Sequence, residues 1–313
     1  MGRMDKLLIA FGGNAIIRAG QKGTYEEQLE NIRSCCRKLV DLYDRGFSMV
    51  ITHGNGPQVG NLLIQNEAAS EQIPVQPMHV CVAQTQGQIG YLLQCELDNE
   101  LRRRKKSVQT AAVMTRVLVD SSDEAFSKPT KPVGPFFSEQ HARAKMQKGE
   151  TWISDSGRGW RRVVPSPRPI KILELEAINQ LLECCGIVIA VGGGGIPVVE
   201  RNGELTGIDA VIDKDLASAL LARNLNVDVL VMLTDVSCVK LNFGHANERD
   251  VHDLTADEAE QYLAEGQFGT GSMAPKIQAA LDFLKAGGKR AVITSLVEVV
   301  EAIHGNAGTV ITM

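Results

Sequence analysis

A chain of 313 residues, 44% hydrophobic and 22% charged, is long enough to bury one large α/β core or two domains. Its formal net charge of −4 at pH 7 creates no global field that would attract nucleic acid or an anionic membrane surface. No apolar run approaches the length of a membrane span, and none of the seven cysteines forms a C-x-x-C pair. We therefore expect a cytoplasmic protein with reduced thiols, in which any bound anion is attracted by a local arrangement of charges.

Strands and helices are predicted to alternate in the first third of the chain. In chain order, the predicted elements are a strand at Lys6–Phe11, a helix from a capping box at 24–27 to a glycine at 46, a strand at 47–52, a helix at 78–104 and a strand at 108–119. A glycine turn directly follows each of the first two strands.

The stretch from about 120 to 168 differs in composition from the rest of the chain. It holds five prolines and both tryptophans, and no long helical pattern runs through it. We predict a small flap, built on a hairpin, that protrudes from the core. Its arginines 158, 161 and 162 are expected to brace the flap, with Asp155 as a candidate partner, rather than to bind an anion.

Alternation returns in the second half of the chain. The predicted elements are a helix at 172–185, a strand at 187–191 followed by glycines 192–195, a hairpin turn at 202–203, a helix capped by Asp213, a strand at Val229–Thr234, a helix at 255–265, a helix after 269–276, a strand at Arg290–Ser295, a short helix and a strand at Thr309–Thr312. Strands that alternate with helices predict a mainly parallel, doubly wound sheet.

Three glycine turns are predicted at strand ends. They are Gly12-Gly13-Asn14, Gly54-Asn55-Gly56 and the run 192–195. Glycines where a strand feeds a helix let backbone N–H groups approach an anion, and ligands of open α/β sheets bind outside the carboxyl ends of the strands. Any one of these turns could be an ordinary tight turn, but three in one context favour a shared phosphate site.

Two common phosphate motifs are absent. The stretch 266–271 has Walker A glycine spacing but is followed by Ser-Met, and 192–197 lacks the last glycine of G-x-G-x-x-G. The sequence therefore indicates neither a P-loop NTPase nor a dinucleotide-dependent dehydrogenase.

Three lysines are candidates for binding a phosphoryl group. Lys214 lies in the first turn of a predicted helix, where a cation is locally unfavourable, while Lys276 and Lys131 lie beside prolines that stiffen their stretches. Phosphoryl transfer needs positive charge on the equatorial oxygens, and Asp215 could offset the repulsion between two converging ammonium groups. The competing interpretations are a solvated charge cluster at 214–215 and, for Lys131, an ordinary surface lysine.

The histidines give no indication of a metal site. His53 lies inside a glycine turn, where it is expected to orient the turn rather than act as a general base. The six histidines show no metal-ligand spacing, so no metal ligand is assigned.

Eight stretches in the same order carry a family resemblance: IAFGGNA, THGNGPQVG, PTKPVGPFF, GRGWRRVVPSPRP, VGGGGIPV, AVIDKDLASALLA, LTDV and GSMAPK. Together they resemble the carbamate kinases of the amino-acid kinase family, from Lys6 to the final GTVI. The resemblance implies a three-layer α/β/α sandwich with a protruding subdomain near 120–168, and a homodimer. It also implies the reaction ATP + carbamate ⇌ ADP + carbamoyl phosphate with Mg²⁺, often run towards ATP in arginine fermentation.

The resemblance also implies roles for individual residues. Lys214 and Lys276 would stabilise the transferring phosphoryl group, Asp215 would organise them, and Lys131 would reach in from the flap. Carbamate and the phosphoryl group would be cradled by Gly12, Gly13, Asn14, Gly54, Asn55 and Gly56. The nucleotide, with Mg²⁺ carried on its phosphates, would be bound by Thr234, Asp235, Val236, Met273 and Lys276.

The resemblance further suggests a substrate lobe at 1–210 and a nucleotide-binding lobe at 211–313. Two alternatives to a carbamate kinase stay open at this stage. One is a related kinase that acts on another small carboxylate or carbamate, and the other is a catalytically silent nucleotide-sensing subunit. The intact set of charged residues argues against the silent subunit.

Overall fold

The computed structural model describes residues 5–18, 20–154, 158–269 and 272–313, and describes Asn14 only by its backbone. Asp155, the candidate partner of the flap arginines, and Gly271, the last glycine of the rejected Walker pattern, lie outside these ranges. The strands are β1 Lys6–Phe11, β2 Ser48–His53, β3 Thr110–Ala112, β4 Arg116–Val119, β5 Lys131–Phe137, β6 Thr151–Ser154, β7 Trp160–Val164, β8 Pro169–Ile172, β9 Ile187–Ile189, β10 Ile196–Arg201, β11 Glu204–Gly207, β12 Val229–Thr234, β13 Val239–Leu241, β14 Arg249–Val251, β15 Asp253–Thr255, β16 Arg290–Ser295 and β17 Thr309–Thr312. The helices are α1 Gly13–Ile16, α2 Tyr25–Asp44, α3 Gly56–Ala68, α4 Met78–Arg103, α5 Glu139–Met146, α6 Leu175–Cys185, α7 Lys214–Asn224, α8 Ala256–Ala264, α9 Met273–Lys285 and α10 Val299–Ile303.

One mainly parallel sheet runs through most of the chain. Its strand order is β15-β17-β16-β12-β1-β2-β9-β3, and its one antiparallel pairing joins β16 to β17. Along β1 the side chains alternate between two hydrophobic clusters, with Leu7 and Ile9 in one and Leu8 and Ala10 in the other. Helices α2, α4 and α10 contribute to the first cluster and α6, α7 and α9 to the second, so the predicted α/β/α sandwich is confirmed.

Two local signals in the sequence are confirmed in detail. Thr24 and Glu27 form the capping box that starts α2. Asn202 and Gly203, both with positive φ, make the two-residue turn between β10 and β11.

The single strand predicted at 108–119 is wrong. This stretch forms β3 at the edge of the main sheet and β4 in a separate four-stranded sheet of order β11-β10-β4-β8. Between β3 and β4 the side-chain amide of Gln86 hydrogen-bonds both backbone groups of Thr115. It accepts from the N–H at 2.9 Å and donates to the carbonyl at 3.0 Å. This contact with α4 directs the chain out of the main sheet, and no local pattern in the sequence predicts it.

A three-stranded antiparallel sheet of order β5-β7-β6 occupies most of the stretch predicted as a flap. It is more than a hairpin, because α5 lies between β5 and β6 in the chain. Arg161 donates to the carbonyl of Gly134 at 2.9 Å, as expected of a bracing arginine. The division into two lobes at residue 210 stays a prediction. Strand β1 of the first predicted lobe and strand β12 of the second are neighbours in one sheet.

Backbone meets backbone where this small sheet rests on α3. A Cβ added to Gly60 would lie 2.0 Å from the Cα of Gly134 and 2.2 Å from its nitrogen. Only glycine at position 60 permits this approach, which fixes the middle of β5 beside the first turns of α3.

None of the helices in the described ranges has the length and hydropathy needed to cross a membrane.

We predict that Gly60→Ala lowers the free energy of unfolding by about 1–3 kcal/mol, because the new methyl group forces two backbones apart. Urea unfolding followed by circular dichroism measures this. The matched control is Gly90→Ala in α4, where the added Cβ would meet Ala112 at an ordinary 3.5 Å. Equal stability of the two variants would contradict the tight crossing.

Candidate active site

The start of α7 forms the floor of the site. Buried residues 210–212 lead to Asp213, whose Oδ1 accepts from the N–H groups of Asp215 at 2.9 Å and Leu216 at 3.3 Å. This is the predicted N-cap, and it fixes Lys214 and Asp215 in the first helical turn.

The Asp215 carboxylate joins two lysines from different helices. Its Oδ1 lies 2.5 Å from Lys214 Nζ, and its Oδ2 lies 3.0 Å from Nζ of Lys276, which is in the first turns of α9. Exposed fractions are 9% for Lys214, 4% for Asp215 and 5% for Lys276. Two buried ammonium groups therefore share one buried carboxylate, in the arrangement that the sequence predicts.

Burial and mutual attraction set the charges of these groups. Burial lowers the pKa of Lys214 to about 8, against the pull of Asp215 and with help from the repulsion of Lys276. Burial alone would raise the pKa of Asp215, but the two ammonium groups hold it well below its usual range. For Lys276 the attraction of Asp215 outweighs burial and raises its pKa. At neutral pH the trio carries a net positive charge.

The backbone of the first two glycine turns lies beside Lys214. Strands β1 and β2 end level with each other, and a Cβ on Gly54 would lie 3.3 Å both from the nitrogen of Gly13 and from Cδ of Lys214. His53 Nδ1 lies 3.1 Å from the carbonyl oxygen of Gly54, and burial lowers the pKa of His53 to about 4. A neutral imidazole that donates to its own turn fits the expected orienting role.

The third glycine run meets the prediction only in part. Gly193 lines the same crevice as the first two turns, as expected of a shared site. The run follows β9 and makes a short 3₁₀ turn at Gly192–Gly194, but it then leads into strand β10 and not into an α-helix. Positive φ at Val191 and at residues 193–195 turns the chain sharply. The run supports the site through Asn55, because only a glycine at 193 leaves room for the Asn55 amide, which donates to Thr85 Oγ1 at 2.8 Å.

Lys131 reaches the same floor from the three-stranded sheet. Its Nζ lies 2.5 Å from Asp213 Oδ2. The sequence indicated Asp213 as a helix cap only. Its second contact spans 82 residues of chain and has no local signal.

A cleft of about 570 Å³ brings most of the predicted site residues together. Those that line it are Gly12, Gly13, Gly54, Asn55, Gly56, Lys131, Lys214, Asp215, Thr234, Asp235 and Lys276. Val236 and Met273 do not line it, and the side chain of Asn14 lies outside the described part of the structure.

Part of the cleft wall was not predicted from the sequence as site residues. The additional lining includes Arg18, Ser34, Lys38, Arg161, Ser295, Leu296 and Val297. The lining residues from α2 and from the segment between β16 and α10 belong to elements whose sequence patterns predict only core packing. The described ranges contain no group of three or more His, Cys, Asp or Glu side chains arranged to hold a metal ion.

A crevice at the carboxyl ends of parallel strands, floored by paired ammonium groups and backbone amides, is suited to a phosphoryl-transferring enzyme. Comparison with known proteins agrees with this class. The sequence model of the amino acid kinase family matches residues 5–295, and the chain belongs to that family.

Its relatives are similar over nearly their whole length. The carbamate kinase of Thermococcus kodakarensis is 50% identical over 98% of both chains, and that of Pyrococcus horikoshii is 48% identical over 98% of this chain and 99% of its own. The structure of Giardia lamblia carbamate kinase bound to AMP-PNP superimposes with a TM-score of 0.91 at 42% identity, covering 100% of this chain and 99% of that one.

The pKa of Lys214 predicts a pH limit for anion binding. We expect the affinity for sulfate, whose charge is constant over this range, to be level below pH 8 and to fall about tenfold per pH unit above it as Lys214 loses its proton. Calorimetric titration between pH 6 and pH 10 measures this. In Lys214→Arg the guanidinium keeps its charge and the fall should disappear, whereas Lys285→Arg, at the far end of α9, should behave as wild type. A level wild-type profile up to pH 10 would contradict the assignment.

Proposed function

We propose that this protein is a carbamate kinase, which transfers the terminal phosphoryl group of ATP to carbamate and releases ADP and carbamoyl phosphate, reversibly. The observation that carries the proposal is the Lys214–Asp215–Lys276 trio beside the backbone of the first two glycine turns. The similarity to carbamate kinases over nearly the whole chain supports the same reaction. Catabolism of arginine or a related nitrogen compound, run towards ATP, is the physiological setting that we infer.

In the forward direction a carbamate oxygen attacks the γ-phosphorus and the bond to the β,γ-bridging oxygen of ATP breaks. Negative charge is spread over the three equatorial oxygens in the transition state, so positioned cations can supply most of the catalysis. Lys214 and Lys276 bind these oxygens, and Asp215 holds the two ammonium groups at a fixed separation. Lys131 approaches from the three-stranded sheet, and the backbone of the first two glycine turns, which lines the same cleft, orients the acceptor.

Mg²⁺ would be carried to the site on the nucleotide phosphates and would neutralise their charge. The floor residues fit this arrangement. The Asp215 carboxylate is occupied by two lysines, and that of Asp213 by Lys131 and two backbone N–H groups. Neither carboxylate is available as a dedicated metal ligand.

The nucleotide would lie over the carboxyl end of β12, where Thr234 and Asp235 line the cleft. Val236 and Met273 stay predicted nucleotide contacts. Each is next in the chain to a residue that lines the cleft, Asp235 and Ser272 respectively. The AMP-PNP complex of the Giardia lamblia enzyme supports ATP as the nucleotide.

Replacement of Lys276 tests the proposal. We predict that Lys276→Ala lowers the rate of ATP formation from carbamoyl phosphate and ADP by about a thousandfold or more, since a transition-state cation is lost. The coupled assay of ATP synthesis measures this. Lys285→Ala is the matched control, because that lysine lies on the same helix but pairs with Glu260 at the surface.

Three outcomes would contradict the proposal. Near-wild-type turnover of Lys276→Ala would remove the assigned role. Turnover of another small carboxylate, with none of carbamoyl phosphate, would identify a different kinase. ADP binding by the wild-type protein without any turnover would identify a nucleotide sensor.

The chain is further proposed to act as a homodimer through α4. Residues 78–95 contain no Asp, Glu, Lys or Arg, and Gln84, Gly87, Gln88 and Tyr91 are exposed along one face of the helix. A solvated helix face normally carries charges, whereas an uncharged face with an exposed tyrosine suits contact with a second copy. Tyr91 itself is 62% exposed.

We predict that Tyr91→Glu converts the dimer to a monomer. A two-fold interface brings the same surface of both copies together, so the substitution buries two carboxylates against each other. Size-exclusion chromatography with light scattering measures the mass. Met146→Glu, at an exposed position of α5, is the control and should leave the mass unchanged. A monomeric wild-type protein, or a dimeric Tyr91→Glu variant, would contradict the assignment.

A further inference from the structure

Asp213 connects two parts of the site that are distant in the chain. One carboxylate oxygen caps α7 through the N–H groups of Asp215 and Leu216, and the other lies 2.5 Å from the ammonium group of Lys131 in β5. The side chains of Asp213 and Lys131 are 13% and 28% exposed. The contact is therefore a partly buried ion pair between the flap and the helix that carries two of the floor charges.

The charges around Asp213 favour its ionised form. Burial alone would raise its pKa and the nearby Asp215 adds to this, but Lys131 and Lys214 together hold the pKa of Asp213 below its usual value. Its ammonium partner is a flexible lysine with three N–H donors, which can change acceptor at low cost. A phosphoryl dianion held by Lys214 and Lys276 would be a second acceptor within the same cleft.

We propose that Asp213 is a positioning residue, whose carboxylate holds the Lys131 ammonium at the edge of the cleft floor and competes for it with the bound phosphoryl dianion. The inference rests on the proposed function for the identity of that dianion. Lys131 then exchanges between Asp213 and the phosphoryl group. Asp213 keeps its two backbone N–H partners throughout, so α7 stays capped while the lysine moves.

Competition has a measurable consequence. A carboxylate that competes for Lys131 weakens the binding of any dianion in the cleft, and removal of its charge should tighten that binding. The gain should depend on Lys131. A carboxylate that acts only by its field would oppose the dianion whether or not a lysine is present at 131.

The test is a double-mutant cycle between Asp213→Asn and Lys131→Met, read out by calorimetric titration with sulfate. We expect Asp213→Asn to raise the sulfate affinity about fivefold in the wild-type background, the scale of a partly exposed ion pair. In the Lys131→Met background the same substitution should change it by less than about twofold. Asparagine caps a helix as well as aspartate does. Asp213→Ser, which can still cap α7 but is too short to contact Lys131, should give the same result.

The control is Asp123→Asn, which changes a carboxylate that also caps a turn, through Ala125 N–H, but does not line the cleft. It should leave the sulfate affinity unchanged. Weaker sulfate binding by Asp213→Asn, or an equal gain in both backgrounds, would overturn the proposal. Sulfate binding does not depend on turnover, so a wild-type protein that forms no ATP would refute the carbamate kinase assignment and leave this cycle interpretable.

Discussion

The site depends on one carboxylate placed between two ammonium groups. Without Asp215, Lys214 and Lys276 would be like charges in a buried floor, and each would shift towards its neutral form or turn away from the other. With it, both lysines keep their charge at neutral pH and point at a common place. The fold provides this by packing α7 and α9 on the same face of the sheet, although the two ends of the Asp215–Lys276 contact are 61 residues apart.

The second requirement is close backbone approach. β1 and β2 are neighbours that end at the same edge, so the turns that follow them bring Gly54 close both to the backbone of Gly13 and to the stem of Lys214. A side chain at position 54 would push the Gly13 backbone and the Lys214 stem apart. Cations and N–H donors thus surround the same volume, and together they stabilise negative charge more than either could alone.

Much of the fold could be predicted because its signals are local. The hydrophobic run of β1, the capping box at Thr24 and the Asp213 cap each describe a few consecutive residues, and the structure has them as predicted. The strand at 108–119 was wrong because a side chain of α4, Gln86, captures the backbone at Thr115. Such a tertiary contact leaves no periodic trace in the sequence.

The chemistry of the site could be predicted from the sequence, but part of its lining could not. Glycine turns at strand ends and a lysine in an unfavourable helical position suggested phosphate chemistry, and the family resemblance suggested individual roles. The contact between Lys131 and Asp213 escaped prediction, because it joins elements 82 residues apart. The wall formed by Ser34, Lys38 and Leu296 escaped too, since their elements show only core patterns.

The most direct measurement is a crystal structure of the protein with ADP, Mg²⁺ and aluminium fluoride, which is an analogue of the phosphoryl group in the transition state of transfer. We predict that the fluoride lies within about 3 Å of the ammonium nitrogens of both Lys214 and Lys276, with Asp215 still between them. A fluoride bound elsewhere in the cleft, or touching neither lysine, would contradict the role of Lys214 and Lys276 in stabilising the transferring phosphoryl group.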